Sequence, residues 1–432
     1  MSCCCGIGCW LLTTGLVVLL GLIFSKKDPP KIAGVYSRPG KLYWLKAVVF
    51  YLLIKLRKWK DARAVKQQSR DHTRLDTYNS GYGTKSKSNP DDMEKVQKLS
   101  THFQAIDAIY FNGANSQGFS IVTGTARRPH GVVNGFFIVR IPELGYLVSP
   151  KFPDSLTFGG TEEFYGAEGF RYEPVVPMKQ WKLEYKGELK FLESGKKVKV
   201  NFKADWKSEL DYFDFDNMIP TWTMARAMSL ERWSQEYFQT LKEAHQTHYE
   251  QHGDLIGEIE VDGKKYELKM PSMRDHSYGI KRNWKLLHRY NMHMFSLEDG
   301  RRFDIGNVCH PCVTSRLETG YMYDHDGSLY ALEKVDHSLH DHGELGDPPK
   351  DYGMMVKATN GHTYYVQVKV LESLELHIGW EWEAKIVERR CKFVVDGVEG
   401  YGISECMYRH TTGRPEEFAK TDPEWVKDVK TV

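Results

Sequence analysis

Residues 257–268 read GEIEVDGKKYEL, and residues 273–279 read MRDHSYG. In the first stretch apolar and polar residues alternate on both sides of Asp262-Gly263, the strongest short signal for a two-residue hairpin. The second sets a guanidinium, a carboxylate and an imidazole side by side at Arg274, Asp275 and His276. Strand-like patterning resumes over residues 284–295 and 301–308. Charged groups among the strands of an apolar barrel are costly unless paired or functional, so the chemistry of the chain is expected to centre here.

Working outward, short β-like runs separated by Gly, Pro and Asn fill residues 103–147, and residues 181–189 and 198–206 alternate well. Five more such runs lie between residues 354 and 408. Residues 229–252 contain neither Gly nor Pro and read as a helix, with Ser229 as N-cap and Gly253 as its stop. The pattern predicts an all-β body: a first β-domain over 100–228, a linking helix over 229–252, a second β-domain over 253–410 and a polar tail over 411–432. Aromatic residues make up 13% of the 432, with 24 Tyr, 20 Phe and 11 Trp, which favours β-structure and a pocket for a flat or greasy ligand. A net charge of +2 makes no electrostatic case for nucleic acid. No Walker loop, dinucleotide glycine fingerprint, Gly-x-Ser-x-Gly elbow or kinase signature occurs, which argues against ATP, NAD and acyl-serine chemistry.

The N-terminus differs from the body. Residues 7–24 carry no charge over 18 positions and run into Ser25-Lys26-Lys27, so a membrane anchor is expected over residues 1–27, with a cleaved signal peptide as the rival. Twelve Lys or Arg against Asp28 and Asp61 between residues 26 and 66 place the body on the cytoplasmic side. Within the basic segment 28–61, residues 42–56 (LYWLKAVVFYLLIKL) suit an interfacial helix on anionic headgroups, a buried core helix being the alternative. Cys3, Cys4 and Cys5 look like S-palmitoylation sites. Acylation wants them in the cytoplasm, whereas the basic flank puts the N-terminus outside; a hairpin or an embedded segment would reconcile the two. Residues 62–99 are polar and read as a linker. The scattered cysteines of the body suggest a reducing compartment, and Cys309-His310-Pro311-Cys312 reads as incidental thiols. His245, His248 and His252 would share a helix face, and residues 336–344 (DHSLHDHGE) are rich in metal-ligand types; solvated or packing roles are expected for both, with no metal.

Trp181-x-Leu183-x-Tyr185-x-Gly187, His248-Tyr249-Glu250-Gln251, Gly257-x-Ile259-x-Val261-x-Gly263 and Arg274-Asp275-His276-Ser277-x-Gly279 follow one another in that order. Over roughly residues 100 to 410 this set resembles the double-lipocalin superfamily, which includes carotenoid hydratases, tocopherol cyclases and fungal Diels–Alderases. The resemblance implies two lipocalin-like β-barrels or sandwiches with a ligand cavity, joined here by a helix; fold alone does not settle function. Members commonly carry Trp where this chain has Tyr278.

The expected function is a cofactor-independent cyclase, hydratase or isomerase of a hydrophobic, lipid- or isoprenoid-like molecule delivered from the membrane. Asp275 or His276 would act as acid/base and Arg274 as electrostatic partner. Tyr278, Trp284, Trp380 and Trp382 would line the ligand site, the last two sharing a strand face in Trp380-Glu381-Trp382-Glu383. His248, Glu250 and Ser277 would brace the corner. Two alternatives stay open: a non-catalytic lipid carrier in which these residues brace the barrel, and an interaction scaffold with filled barrels.

Overall fold

Nineteen strands and six α-helices make up a computed structural model that describes residues 3–25, 27–68 and 89–426. Most of the predicted linker (residues 69–88), the end of the tail (residues 427–432) and the side chains of Cys3, Cys4 and Cys5 lie outside the described residues.

The first unit comprises β1 (Ile106–Ala114), β2 (Ser120–Arg127), β3 (Val132–Ile141), β4 (Gly145–Val148), β5 (Leu156–Phe158), β6 (Phe170–Val176), β7 (Gln180–Phe191), β8 (Lys197–Lys207), β9 (Phe213–Asp214), β10 (Thr247–Val261) and β11 (Lys264–Gly279). Its main path runs β11-β1-β2-β3-β4-β7-β8-β10, and β10 also pairs with β11, so the path returns to its start. The second unit is a closed barrel of β12 (Arg289–Leu297), β13 (Arg302–His310), β14 (Thr314–Tyr323), β15 (Leu329–Val335), β16 (Asp351–Ala358), β17 (Thr363–Ile378), β18 (Ala384–Val395) and β19 (Val398–Arg409). Each unit has its own apolar core: Phe111, Phe137, Trp181 and Trp206 in the first, Phe295, Phe303 and Phe393 in the second.

The predicted hairpin is present. β10 and β11 pair from Val261↔Lys264 outward around Asp262 and Gly263, at φ of 47° and 86°. Both turn positions are left-handed, which is the conformation the Asp-Gly pair supplies. The hairpin nevertheless belongs to the first unit, because β10 continues onto β8 and β11 onto β1. The division between units therefore falls after Gly279, not at residue 253.

The predicted helix over 229–252 is also corrected. α4 (Thr221–Leu230) ends within its first two residues, α5 (Gln235–Glu243) occupies its middle, and its last quarter is the start of β10. Ser234, not Ser229, caps α5, accepting a hydrogen bond from the Tyr237 N–H at 3.1 Å. Ser229 lies inside α4, where its hydroxyl donates to the Ala225 carbonyl. No Gly or Pro marks these breaks; pairing of residues 247–252 with β11 overrides local helix propensity. Residues 380–383 form a turn between β17 and β18, so Trp380 and Trp382 do not share a strand face.

At the N-terminal side, α1 (Cys3–Ser25) and α2 (Tyr43–Gln68) form where apolar runs were read. Among the described residues no helix is long and apolar enough to cross a membrane, so the expected spanning anchor is not shown. α2 buries Ala47, Phe50 and Ile54 against α4 and α5, which realises the core-helix alternative on one face. Its other face exposes Trp44, Val48, Leu52, Leu56 and Trp59, mostly at four-residue spacing. α3 (Pro90–Glu94), at the end of the predicted linker, is capped by Asn89 and docks on the first unit. α6 (Glu416–Ala419) lies in the tail.

Candidate functional site

β11 carries Arg274, Asp275 and His276 in succession, and side chains of a strand alternate between its two faces. Arg274 and His276 point into the first unit; Asp275 points out of it, toward the second barrel. The register shows the same division: Arg274 sits opposite Phe111 and Gln251, His276 opposite Ile109 and Tyr249, and Asp275 opposite Tyr110 and Glu250.

The inward pair belongs to a closed polar network. Arg274 Nη1 lies 2.9 Å from Glu94 Oε1, both side chains being inaccessible, and its Nη2 donates to Gln251 Oε1 at 2.9 Å. The guanidinium stands 5.0, 5.4 and 5.7 Å from the ring centroids of Trp206, Tyr249 and Trp181. Glu94 also accepts from Trp181 Nε1 at 2.7 Å and from the Tyr249 hydroxyl at 2.6 Å. Burial opposes its charge, but Arg274, His276 and these hydrogen bonds outweigh that and hold the carboxyl below its ordinary value. His276 Nε2 meets Asp107 Oδ1 at 2.8 Å, and Asp107 in turn pairs with Arg127 Nη1 at 2.8 Å. Charges in this network are matched, as a brace requires.

The outward side is unlike this. There the outer faces of β1, β2, β3 and β11 pack on those of β12, β17, β18 and β19, with Val122, Ile138, Met273, Met294, Ile386 and Met407 forming the apolar contact. Five carboxyl groups share this seam: Glu388 and Glu405, directly opposite on β18 and β19, with Asp275, Glu250 and Asp304. The Tyr110 hydroxyl lies 3.3 Å from Glu388 Oε1, and the Tyr290 hydroxyl bonds Glu405. Asn112 Nδ2 donates to the Tyr110 oxygen at 3.3 Å. Few cations offset these acids. His248, Arg282 and, more weakly, His276 are the positive or ionisable partners that act on Asp275.

Burial, then mutual repulsion, drives Glu388 well above the carboxylate range; burial raises Glu405 against hydrogen bonds from Tyr290, Glu388 and Tyr110. Asp275 is raised by burial despite His248 and Arg282, and Asp304 by burial and Glu250. His248 is pushed down by burial, with Asp275 opposing, and its Nε2 meets Glu250 Oε1 at 2.9 Å. The fold thus gathers carboxyls of raised proton affinity against an apolar wall. Tyr110, Tyr290, Asp275, Glu405, His248 and Arg282 are half-buried, whereas Glu388, Glu250 and Asp304 are buried.

The other predicted site residues are dispersed. Trp284 is half-buried at the edge of the seam, 5.5 Å below the Arg282 guanidinium. Tyr278 packs with Met93 and Tyr249, on the inward side. Trp382 stacks on His377 at 4.1 Å and donates to Asp154 Oδ1 at 2.8 Å, and Trp380 precedes it in the same turn. Ser277 accepts from Arg282 Nη2 at 2.7 Å and faces His248 across the ladder, so the expected bracing of His248, Glu250 and the corner runs through a sheet. His245 pairs with Asp216 at 2.8 Å, away from His248 and His252. Cys309 is a buried free thiol and Cys312 a half-buried one. Among the described residues no group of three or more His, Cys, Asp or Glu is placed to hold a metal ion. Glu388, Glu405, Tyr110 and Tyr290 escaped sequence reasoning, because each lies among other polar or charged residues of its strand and only the pairing between strands brings them together.

Two circuits of β-strands packed outer face to outer face, with a cluster of carboxyls of raised proton affinity along the seam, define a two-unit all-β protein. Residues 11–408 match a family of unknown function, DUF8627, and the chain belongs to that family. No curated protein matches it. Among solved structures it is similar to the protein designated AttH from Nitrosomonas europaea, at 12% identity and TM-score 0.48, over 72% of this chain and 98% of that one. It is similar to kievitone hydratase from Nectria haematococca at 10% identity and TM-score 0.45, over 72% and 90%. CghA gives 8% identity and TM-score 0.44, over 79% and 95%.

Proposed function

We propose that the chain is a hydratase, cyclase or isomerase of a hydrophobic small molecule, working by acid/base chemistry in the seam between its two β-units and without a cofactor. The observation that carries this reading is the Glu388–Glu405 pair: two carboxyls on facing strand positions, raised in pKa and held by Tyr110 and Tyr290 beside an apolar wall. A carboxylic acid kept neutral at working pH can donate its proton to an alkene or carbonyl. The proton adds to one carbon; water or an internal nucleophile closes on the neighbouring cationic carbon, and its proton returns to a carboxylate. Asp275, half-buried in the same seam, would receive that proton in its ionised form. Met273, Met292, Met294 and Met407 border the acids, and methionine side chains readily re-pack around an apolar ligand. Arg274 and His276 hold β11, and with it Asp275, in position.

The exposed apolar stripe of α2, with Lys55, Arg57, Lys60 and Arg63 on the same helix, suits an anionic membrane surface from which such a substrate would come. α1, whose Trp10, Leu11, Leu16 and Val17 are exposed, would embed beside it. The test is mass spectrometry of small molecules retained by the full chain and by its Glu388→Gln variant. An enriched apolar compound that wild type converts and the variant only binds is the expected result. Retention without conversion by either protein would make the chain a carrier, and a folded chain that retains nothing would refute the site.

A further inference from the structure

The alternation that sends Glu388 and Glu405 to the seam sends their neighbours Arg389 and Ser404 into the second barrel. Arg389 is 2% exposed, and among the described residues it has no carboxylate within ion-pair distance. Its hydrogen bonds go to neutral acceptors: the Pro349 carbonyl at 2.9 Å, the Tyr352 hydroxyl at 3.1 Å and Ser404 Oγ at 2.7 Å. Its Nε–H has no partner. A buried guanidinium without a counter-ion is expensive, unlike Arg274 and Arg289, which have Glu94 and Glu344.

Residues 336–350 arch over this end of the barrel and add His337 and His342 to the His293 of β12 around Tyr352. His342 and Tyr352 ring centroids are 4.3 Å apart, His337 and His342 4.1 Å, and His293 and Tyr352 5.8 Å. The hydrogen bonds assign the protons. His293 Nδ1 faces the Ile305 carbonyl at 3.2 Å and must donate, so its Nε2 accepts from the Tyr352 hydroxyl at 2.7 Å, whose oxygen then accepts from Arg389. Asn307 Nδ2 donates to His337 Nδ1 at 3.0 Å, which leaves the proton of neutral His337 on Nε2. That buried Nε2 has no partner; neither have His342 Nε2 and Asn291 Nδ2. Asn291 is 0% and His342 5% exposed. Buried polar groups are almost always satisfied, and a group of orphans this dense calls for a missing acceptor. Burial holds His337 and His342 below the ordinary histidine range, so their ring N–H groups are donors without charge.

We propose that the loop-covered end of the second barrel is a binding site for a carboxylate, seated on Arg389 and ringed by His337, His342 and Asn291. One unmatched cation among neutral donors balances a monoanion, and a planar guanidinium fits a carboxylate; a phosphate dianion would leave an unmatched negative charge. The site is separate from the seam and does not depend on its chemistry. Arg289 supports the cover, donating to the Leu339 and His342 carbonyls at 3.1 and 2.7 Å.

The test is thermal unfolding of the full chain with acetate, decanoate, decanol or inorganic phosphate. At least one carboxylate is expected to raise the midpoint, and decanol and phosphate are not. Arg389→Met should lose the shift and, relieved of an uncompensated charge, melt at or above wild type without ligand. His337→Phe, which removes one donor from the loop, should weaken carboxylate binding about tenfold or more and provides the test if Arg389→Met does not fold. Glu388→Gln should keep the shift. The proposal is overturned if neither carboxylate acts, if decanol or phosphate acts as well, or if a folded Arg389→Met retains the effect.

Discussion

Replacing Arg274 by Met tests whether the most conspicuous motif of the chain is architecture. The substitution keeps an unbranched side chain of similar reach but removes the charge that faces Glu94 at 2.9 Å. Glu94 would stay buried with three donors, Trp181 Nε1 at 2.7 Å, the Tyr249 hydroxyl at 2.6 Å and the Met178 N–H at 3.1 Å, but without its counter-ion. Breaking a buried pair from one side costs about 3–5 kcal/mol, and the three remaining donors favour the lower end. For a unit of this size that is a fall of roughly 6–20 °C in midpoint. Urea unfolding followed by tryptophan fluorescence would read it, since Trp181 and Trp206 flank the guanidinium. Removing both charges in Glu94→Gln/Arg274→Met should recover most of the loss, because the Gln oxygen can keep accepting from Trp181 Nε1 while its NH2 donates to the Tyr249 oxygen. A single variant within about 0.5 kcal/mol of wild type, or a double variant no better than the single, would refute the brace.

Other consequences follow from the same geometry. Because the fold raises Glu388, Glu405, Asp275 and Asp304, these four groups hold more protons in the folded chain than in the unfolded one. Their contribution is complete below the ordinary carboxyl values, about 4, and is lost as pH rises through the raised folded values, so the denaturation midpoint of Glu388→Gln should gain on that of wild type as pH rises, and a pH-independent difference would refute the raised Glu388. Asp275→Asn should leave the urea midpoint within about 1 kcal/mol while abolishing conversion of any substrate identified; unchanged conversion would remove Asp275 from the mechanism. Leu52→Glu/Leu56→Glu on the exposed face of α2 should lower co-sedimentation with anionic vesicles without lowering the melting point, and equal binding would discard that face as the membrane contact. Ser234→Ala should cost about 1 kcal/mol through loss of the α5 cap, measured by urea unfolding.

What the sequence shows and hides has a physical pattern. The Asp262-Gly263 turn was legible because its chemistry is local: two left-handed residues need two residues that tolerate them. The all-β character was legible because period-2 alternation is written along each strand. The end of α5 and the start of β10 were hidden, since Thr247 to His252 has no breaker and becomes strand only by pairing with Ser277, His276 and Asp275. Read with a helical period, Glu250 turns away from His248; with a strand period it is the neighbour 2.9 Å distant. Glu94 was hidden for a related reason, sitting in a polar stretch that looks like a tether until the core it plugs is known. Glu388 and Glu405 lie seventeen positions apart, and only the β18–β19 register makes them one site.

The same alternation explains why Arg274-Asp275-His276 resists a single role. Three consecutive charged or titratable residues on a strand cannot act on one ligand, because the middle one faces away from its neighbours. Arg274 and His276 find Glu94 and Asp107 inside the first unit, where matched pairs make burial tolerable. Asp275 is left in a seam already crowded with acids, where added negative charge raises the proton affinity of all of them. Each half of the motif therefore needs the other: the inward ion pairs fix the strand, and the fixed strand keeps a carboxyl where it would otherwise be repelled. Substitution of the inward residues should then affect stability first and chemistry only through it, whereas substitution of Asp275 should do the reverse.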